Sequence, residues 1–173
     1  MIFEEATAAD YPAILTLNQA AIPEVSHLDT EALAALHQQA RLLTVARSGA
    51  AIAGFMLILT EGADYGSLNY QYFARNYDAF FYVDRIVVAE DFRRQGVGAG
   101  LYEILFKAAA AAPRVTCEVN LRPPNPGSVQ FHERLGFRVV DEQDTGDKRV
   151  ALMVRENADS GESADSGEPP GQT

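Results

Sequence analysis

Arg93-Arg94-Gln95-Gly96-Val97-Gly98 decides the reading of this chain. It follows a strongly apolar run, Phe80 to Val88, that reads as a strand. It opens a helix from Gly98 to about Ala112, with Val97, Leu101, Ile104, Leu105 and Ala108 on one face. A strand, a glycine turn and a helix start make a site for an anion. Glycines 96 and 98 let the backbone approach a ligand, and the unpaired N–H groups of the helix start point outward. The helix dipole adds roughly 0.3–1 kcal/mol for an anion at such a terminus. Arg93 and Arg94 supply positive charge beside it. The spacing has neither the lysine and hydroxyl of a Walker loop nor the GxGxxG of a dinucleotide fold.

Downstream stands Asn125-Pro126-Gly127-Ser128-Val129-Gln130-Phe131-His132, running on to Leu135-Gly136-Phe137. Asn125 is a good helix cap and Pro126 suits the first helical position. Asn125, Ser128 and His132 then share a polar stripe at i, i+3 and i+7, beside Phe131 and Leu135. Gly136 stops the helix.

Outward from these two segments, the spacing predicts a strand over Ile2–Ala6, a helix from a cap at Asp10 to about Ala21, and a helix beginning at Thr30. Strands follow at Arg41–Arg47 and Ala50–Leu59 across the turn Ser48-Gly49, then a long connection from Glu61 to Ala79. The remaining strands are Val115–Leu121, Phe137–Val140 and Lys148–Val154. Strands in hairpins alternating with helices imply a mixed α/β fold, with a central sheet covered by helices.

The 173 residues are 47% hydrophobic and 22% charged, enough for one domain with a sizeable core. Glu156 to Thr173 is different: it has no aromatic and no Lys or Arg, but five acids and a near-repeat of Ala-Asp-Ser-Gly-Glu at 158 and 164. It reads as an acidic disordered tail behind a domain of residues 1–155. The net charge of −10 argues against nucleic acid or an anionic membrane surface as partner. The single Cys117 excludes a disulfide framework and a thiolate zinc cluster, and no metal is expected. The first residues have no basic and apolar leader pattern, and no apolar run approaches the ~18 residues of a span. A cytoplasmic protein is the expectation.

The two motifs together resemble the GCN5-related N-acetyltransferase (GNAT) superfamily. Arg93-x-x-Gly96-x-Gly98 is similar to its (Gln/Arg)-x-x-Gly-x-(Gly/Ala) motif. Asn125-x-x-Ser128-x-x-Phe131-His132-x-x-x-Gly136-Phe137 is similar to its Asn-x-x-Ala-x-x-Leu-Tyr-x-x-x-Gly-Phe segment. The likeness extends over about Ile2 to Val154, including the element order.

The resemblance implies a mostly antiparallel sheet with a V-shaped splay between the fourth and fifth strands, where acetyl-CoA binds as co-substrate. It implies that Gln95, Gly96, Val97, Gly98 and Ala99 hold the pyrophosphate, with Arg93 and Arg94 beside them. Val88 would meet the acetyl carbonyl and pantetheine, and Asn125 and Ser128 would reach the cofactor from the other side. The activity implied is direct acetyl transfer to a primary amine, either a small molecule or a peptide N-terminus. A catalytically silent acyl-CoA sensor is the alternative.

Such chemistry needs a base for the amine, donors for the developing negative oxygen and an acid for the departing thiolate. His132 stands where many relatives have a tyrosine assigned to protonate the thiolate, and would need a pKa held up to do so at neutral pH. Cys117-Glu118-Val119 resembles the Leu-Glu-Val of ribosomal-protein N-terminal acetyltransferases, which makes Glu118 the first choice of base. Asp84 is the other, because it shares strand parity with Tyr82 and Val88. Tyr65, Tyr70, Tyr72 and Tyr82 are candidate walls of the acceptor pocket. Sheet-edge pairing allows a homodimer.

Overall fold

The structure is a computed structural model that describes residues 1–158. Its elements are β1 (Ile2–Glu5), α1 (Tyr11–Ala20), α2 (Thr30–Gln39), β2 (Leu42–Ser48), β3 (Ala51–Thr60) and α3 (Leu68–Asn76). They continue with β4 (Phe81–Val88), α4 (Val97–Ala108), β5 (Arg114–Arg122), α5 (Pro126–Arg134), β6 (Arg138–Thr145) and β7 (Lys148–Glu156). The seven strands form one sheet in the order β1-β2-β3-β4-β5-β7-β6. Only β4 and β5 run parallel; every other neighbouring pair is antiparallel.

β3 sits mid-sheet and is buried on both faces, which is why its sequence is apolar almost throughout. On one face Phe55, Leu57 and Leu59 pack with Ile14 of α1, Leu33 of α2 and Tyr70 and Phe73 of α3. On the other, Met56 and Ile58 pack with Val97, Leu101 and Leu105 of α4. Fully burying each such side chain contributes roughly 1.5–3 kcal/mol.

Helix α3 lies inside the stretch expected to be a 19-residue connection. Ser67 caps it by accepting the Tyr70 N–H, and the rings of Tyr70 and Phe73 pack against Tyr82 at centroid distances of 5.4 and 5.8 Å. Asp10 also departs from expectation. It precedes α1, but its carboxylate turns back to accept the Thr7 N–H at 2.8 Å and to pair with Arg47 at 2.6 Å.

The packed part passes the expected boundary at 155. Glu156 ends β7 and faces Arg114 at 3.4 Å, while Asn157 donates its N–H to the Pro113 carbonyl and its side-chain N–H groups to Ala109 and Ala112. Residues 159–173, most of the expected tail, lie outside the described residues. No helix among the described residues is long and apolar enough to cross a membrane.

Candidate active site

The site begins where the parallel pair comes apart. β4 and β5 are in register only at Phe81 with Val115 and Tyr82 with Thr116; beyond these β5 runs against β7 and the two strands diverge. The opening exposes one edge of β4. Ala89 N–H donates to Ala53 at 2.8 Å, so Val88 and its opposite number Gly54 are a non-hydrogen-bonded pair. The N–H and C=O of Val88, and of Ile86 one alternation earlier, therefore turn from β3 towards the opening.

A β-bulge sets the side chains. Arg85 lies opposite Leu57 and Val83 opposite Ile58, so Asp84 is an extra residue in β4. Tyr82 and Val87 face α1–α3, whereas Val83, Ile86 and Val88 face α4. The expected shared face of Tyr82, Asp84 and Val88 does not exist, because the bulge resets the alternation between them.

On the α4 side lies a cavity of about 430 Å³ lined by Val88, Arg93, Arg94, Gly96, Val97, Gly98 and Ala99. Gly96 caps α4 with φ at 81°, and Arg94 has φ at 60°, a left-handed conformation for a side chain that normally avoids it. A Cβ on Gly98 would come within 3.3 Å of the Phe131 ring, which also lines this cavity. Gln95 is outside it, its side chain donating to the Asp91 carbonyl at 2.8 Å.

On the α1–α3 side lies a second cavity, of about 400 Å³, whose lining includes Tyr65, Asn69, Asp84, Arg85, Glu118 and Lys148. Glu24, Val25, Ile86, Asn125, Ser128 and His132 line both cavities. The two are halves of one trough that passes through the opened sheet. Asn125 keeps its cap as well, accepting the Ser128 N–H at 3.3 Å.

Glu118 and Asp84 differ in their surroundings. Asp84 accepts from Arg85 Nε at 2.7 Å, and both side chains are 3% exposed. Arg85 continues to Asn18 at 2.8 Å and to the Ser26 carbonyl at 3.1 Å. Glu118 accepts from the Tyr82 hydroxyl at 2.9 Å through Oε1, but its buried Oε2 has no partner among the described residues. Burial, then the charge of Asp84, pushes the Glu118 pKa up to about 8, against the hydrogen bond from Tyr82 and the nearby amide of Asn69. Burial and the same Asp84 charge push the Tyr65 hydroxyl up.

His132 is buried at 3% exposure on the polar stripe expected of it. Its Nδ1 lies 2.7 Å from the Ser128 carbonyl, which can only accept, so Nδ1 carries the proton. Nε2 then accepts from the Tyr102 hydroxyl at 2.7 Å. Burial lowers the His132 pKa below its ordinary value, against the bond to Ser128. The condition set for a neutral-pH acid, a raised pKa, is not met.

The expected aromatic walls divide. Tyr65 lines the second cavity, but Tyr70 is 1% exposed and donates its hydroxyl to Thr60. Tyr72 packs edge-on against Phe73 and lines neither cavity. Tyr82 reaches Glu118 rather than the cavity itself. Sequence reasoning missed Arg85, Asn69 and Asn120. Arg85 had a signal, a cation next to Asp84 in a central strand whose other residues are apolar or aromatic. Asn18 of α1 is fully buried, a second polar residue whose place in an apolar stretch was equally informative.

The fold is widely shared. The E. coli ribosomal-protein-S18-alanine N-acetyltransferase superimposes with a TM-score of 0.72 at 19% identity, covering 94% of this chain and 97% of that one. Naa50 from Arabidopsis thaliana, solved with the bisubstrate analogue CoA-Ac-MVNAL, gives 0.69 at 12% identity over 90% and 97%. The yncA protein of Salmonella typhimurium, solved with its cofactor acetyl-CoA, gives 0.70 at 16% identity over 93% and 96%. No curated protein matches significantly by sequence. The family model described as Acetyltransferase (GNAT) family matches residues 6–137, from the end of β1 to the residue before β6. A match of that extent, on a sheet opened between β4 and β5, makes the chain a member of the GNAT acetyltransferase family.

Proposed function

We propose that the chain transfers the acetyl group of acetyl-CoA to a primary amine by direct attack, both substrates being held in the trough between β4 and β5. The observation that carries this is the continuity of the two cavities. One is lined by the glycine start of α4 and the other by Glu118, a carboxylate with one oxygen left without a partner among the described residues.

The α4-side residues fit a CoA ester. The backbone N–H groups of Gly96 to Ala99 suit a pyrophosphate, with Arg93 and Arg94 available to its charge. The space a side chain at Gly98 would fill is left open beside Phe131. Bound acetyl-CoA supplies the activated thioester. The Val88 N–H, turned into the opening, donates to the acetyl carbonyl oxygen as negative charge grows there.

Glu118 is the base. It removes a proton from the acceptor ammonium, and a carboxyl poised near 8 suits an amine at physiological pH. The amine nitrogen bonds to the acetyl carbon, the carbon–sulfur bond breaks, and the second proton that the nitrogen gives up on becoming an amide neutralises the departing thiolate. Asp84 is tied to Arg85 and raises Glu118 by its charge. His132, with both ring nitrogens engaged, holds Ser128 and Tyr102 in place. The acceptor is a small molecule or a peptide N-terminus on this reading.

Calorimetry with acetyl-CoA on the full chain and on Gly98→Glu, followed by a thiol-release assay with an amine panel, tests the proposal. Micromolar binding (about −8 kcal/mol) that Gly98→Glu loses, with turnover that Glu118→Gln loses, is the expected result. Binding with no turnover would mark a catalytically silent acyl-CoA sensor.

A further inference from the structure

The acceptor-side cavity has two ends of opposite charge. Glu118 pairs with Leu152 across β5 and β7, and Lys148 starts β7 four residues earlier. An even separation puts Lys148 on the face that Glu118 shares, and both line the cavity. Four residues separate their levels by roughly 13 Å along the strand. Side chains extended into the cavity from each end leave room for a small molecule between them.

Lys148 is the uncommitted cation of this cavity. Its Nζ donates to the Pro23 carbonyl at 2.7 Å, a neutral partner, and no carboxylate among the described residues lies within ion-pair distance. Arg85, the other cation, is paired with Asp84. Glu118 presents the mirror case, a carboxylate with an oxygen left over.

The cavity is also bridged overhead. The segment between α1 and α2 is tied across it: the Pro23 carbonyl accepts from Lys148 and from Asn120 at 3.1 Å, and the Ser26 carbonyl accepts from Asn18 at 3.0 Å and from Arg85. These ties narrow the cavity between β5, β7 and this segment, which favours a compact acceptor over an extended chain.

Resting on the acetyltransferase reading above, we infer that the acceptor is a small zwitterion, a primary amine with its own carboxylate, whose amine meets Glu118 and whose carboxylate meets Lys148. Two N–H donors of Lys148 remain for that carboxylate while the third holds Pro23. Exposed Glu24, which lines both cavities, sits at the junction with the cofactor side rather than beside Lys148 alone. A diamine would bring a second cation to Lys148 and be repelled.

The test is a set of L-amino acids, their carboxamides, their decarboxylated amines, diamines and short peptides, assayed with acetyl-CoA on the full chain and on Lys148→Met and Lys148→Arg. At least one amino acid is expected to exceed its carboxamide in kcat/KM by about tenfold or more, as one charged hydrogen bond allows. Lys148→Met should erase that preference while Lys148→Arg keeps part of it. Carboxamides, diamines or peptides used as well as the acids would overturn the inference. So would Lys148→Met lowering all acceptors alike, the mark of a tie that only holds the segment. Acetyl-CoA binding with no acceptor acetylated would overturn the transferase reading itself, and this inference with it.

Discussion

Tyr82 donates its hydroxyl to Oε1 of Glu118 at 2.9 Å across the last paired rung of β4 and β5, and Oε2 of that carboxylate accepts nothing among the described residues. One oxygen is thus fixed by a buried ring, and the other is buried with its acceptor capacity unused. The ring itself is locked by Tyr70 and Phe73, so α3 fixes Glu118 through Tyr82 while its own Asn69 lines the same cavity.

Glu118→Gln keeps the shape and the Tyr82 contact but cannot take a proton. Turnover should fall by about 10²–10⁴-fold with acetyl-CoA affinity unchanged. In the parent chain kcat/KM should rise with pH and level off near 8, as the carboxyl ionises. Initial rates across pH check both; an unchanged ascending limb in Glu118→Gln would assign the base elsewhere.

The same group makes stability depend on pH. Its pKa is raised from the ordinary 4.5 to about 8 on folding, so the native chain keeps a proton that the unfolded chain releases. The contribution is complete below about 4.5, is lost as pH rises through the window to about 8, and is constant above it. The Tm of the parent minus that of Glu118→Gln should decline over that window. A flat or rising difference would count against the burial argument.

Arg85→Met should be costly, because it strands Asp84 in a site where its side chain is 3% exposed. Removing one partner of a buried pair costs about 3–5 kcal/mol. Arg85→Met with Asp84→Asn should recover part of the loss, as urea melts of the singles and the double variant would reveal.

His132→Phe should behave as a structural change. It leaves the Tyr102 hydroxyl unpaired, at a cost of about 1–3 kcal/mol, and Tyr102→Phe added to it should cost little more. Because burial lowers the His132 pKa, the unfolded chain takes up this proton more readily, and His132 costs stability as pH falls below about 6.5. Turnover should change much less than in Glu118→Gln. Thermal melts across pH and steady-state rates separate the two variants.

The turn into α4 was legible because backbone needs leave marks in sequence. Gly96 answers a positive φ and Gly98 a close ring, and both demands select glycine whatever surrounds them. The acceptor side was less so. Helix α3 hid in an aromatic stretch because Tyr70 and Phe73 gain their burial from Tyr82 and Phe80, partners the local spacing does not display. The bulge at Asp84 defeated the parity argument, since period-two reasoning assumes a strand with no extra residue. His132 was placed on the right stripe, but its role depends on Tyr102, thirty residues away in sequence.

That bulge has a consequence for how such a site changes over time. Asp84 stands outside the alternation of β4: with it excised, Tyr82, Arg85 and Val87 would still face one way and Val83, Ile86 and Val88 the other. The acid beside Glu118 can therefore be gained or lost through a single in-frame codon, with both faces of the strand preserved. Proton affinity at Glu118 becomes a heritable setting that lineages can adjust without redesigning the sheet.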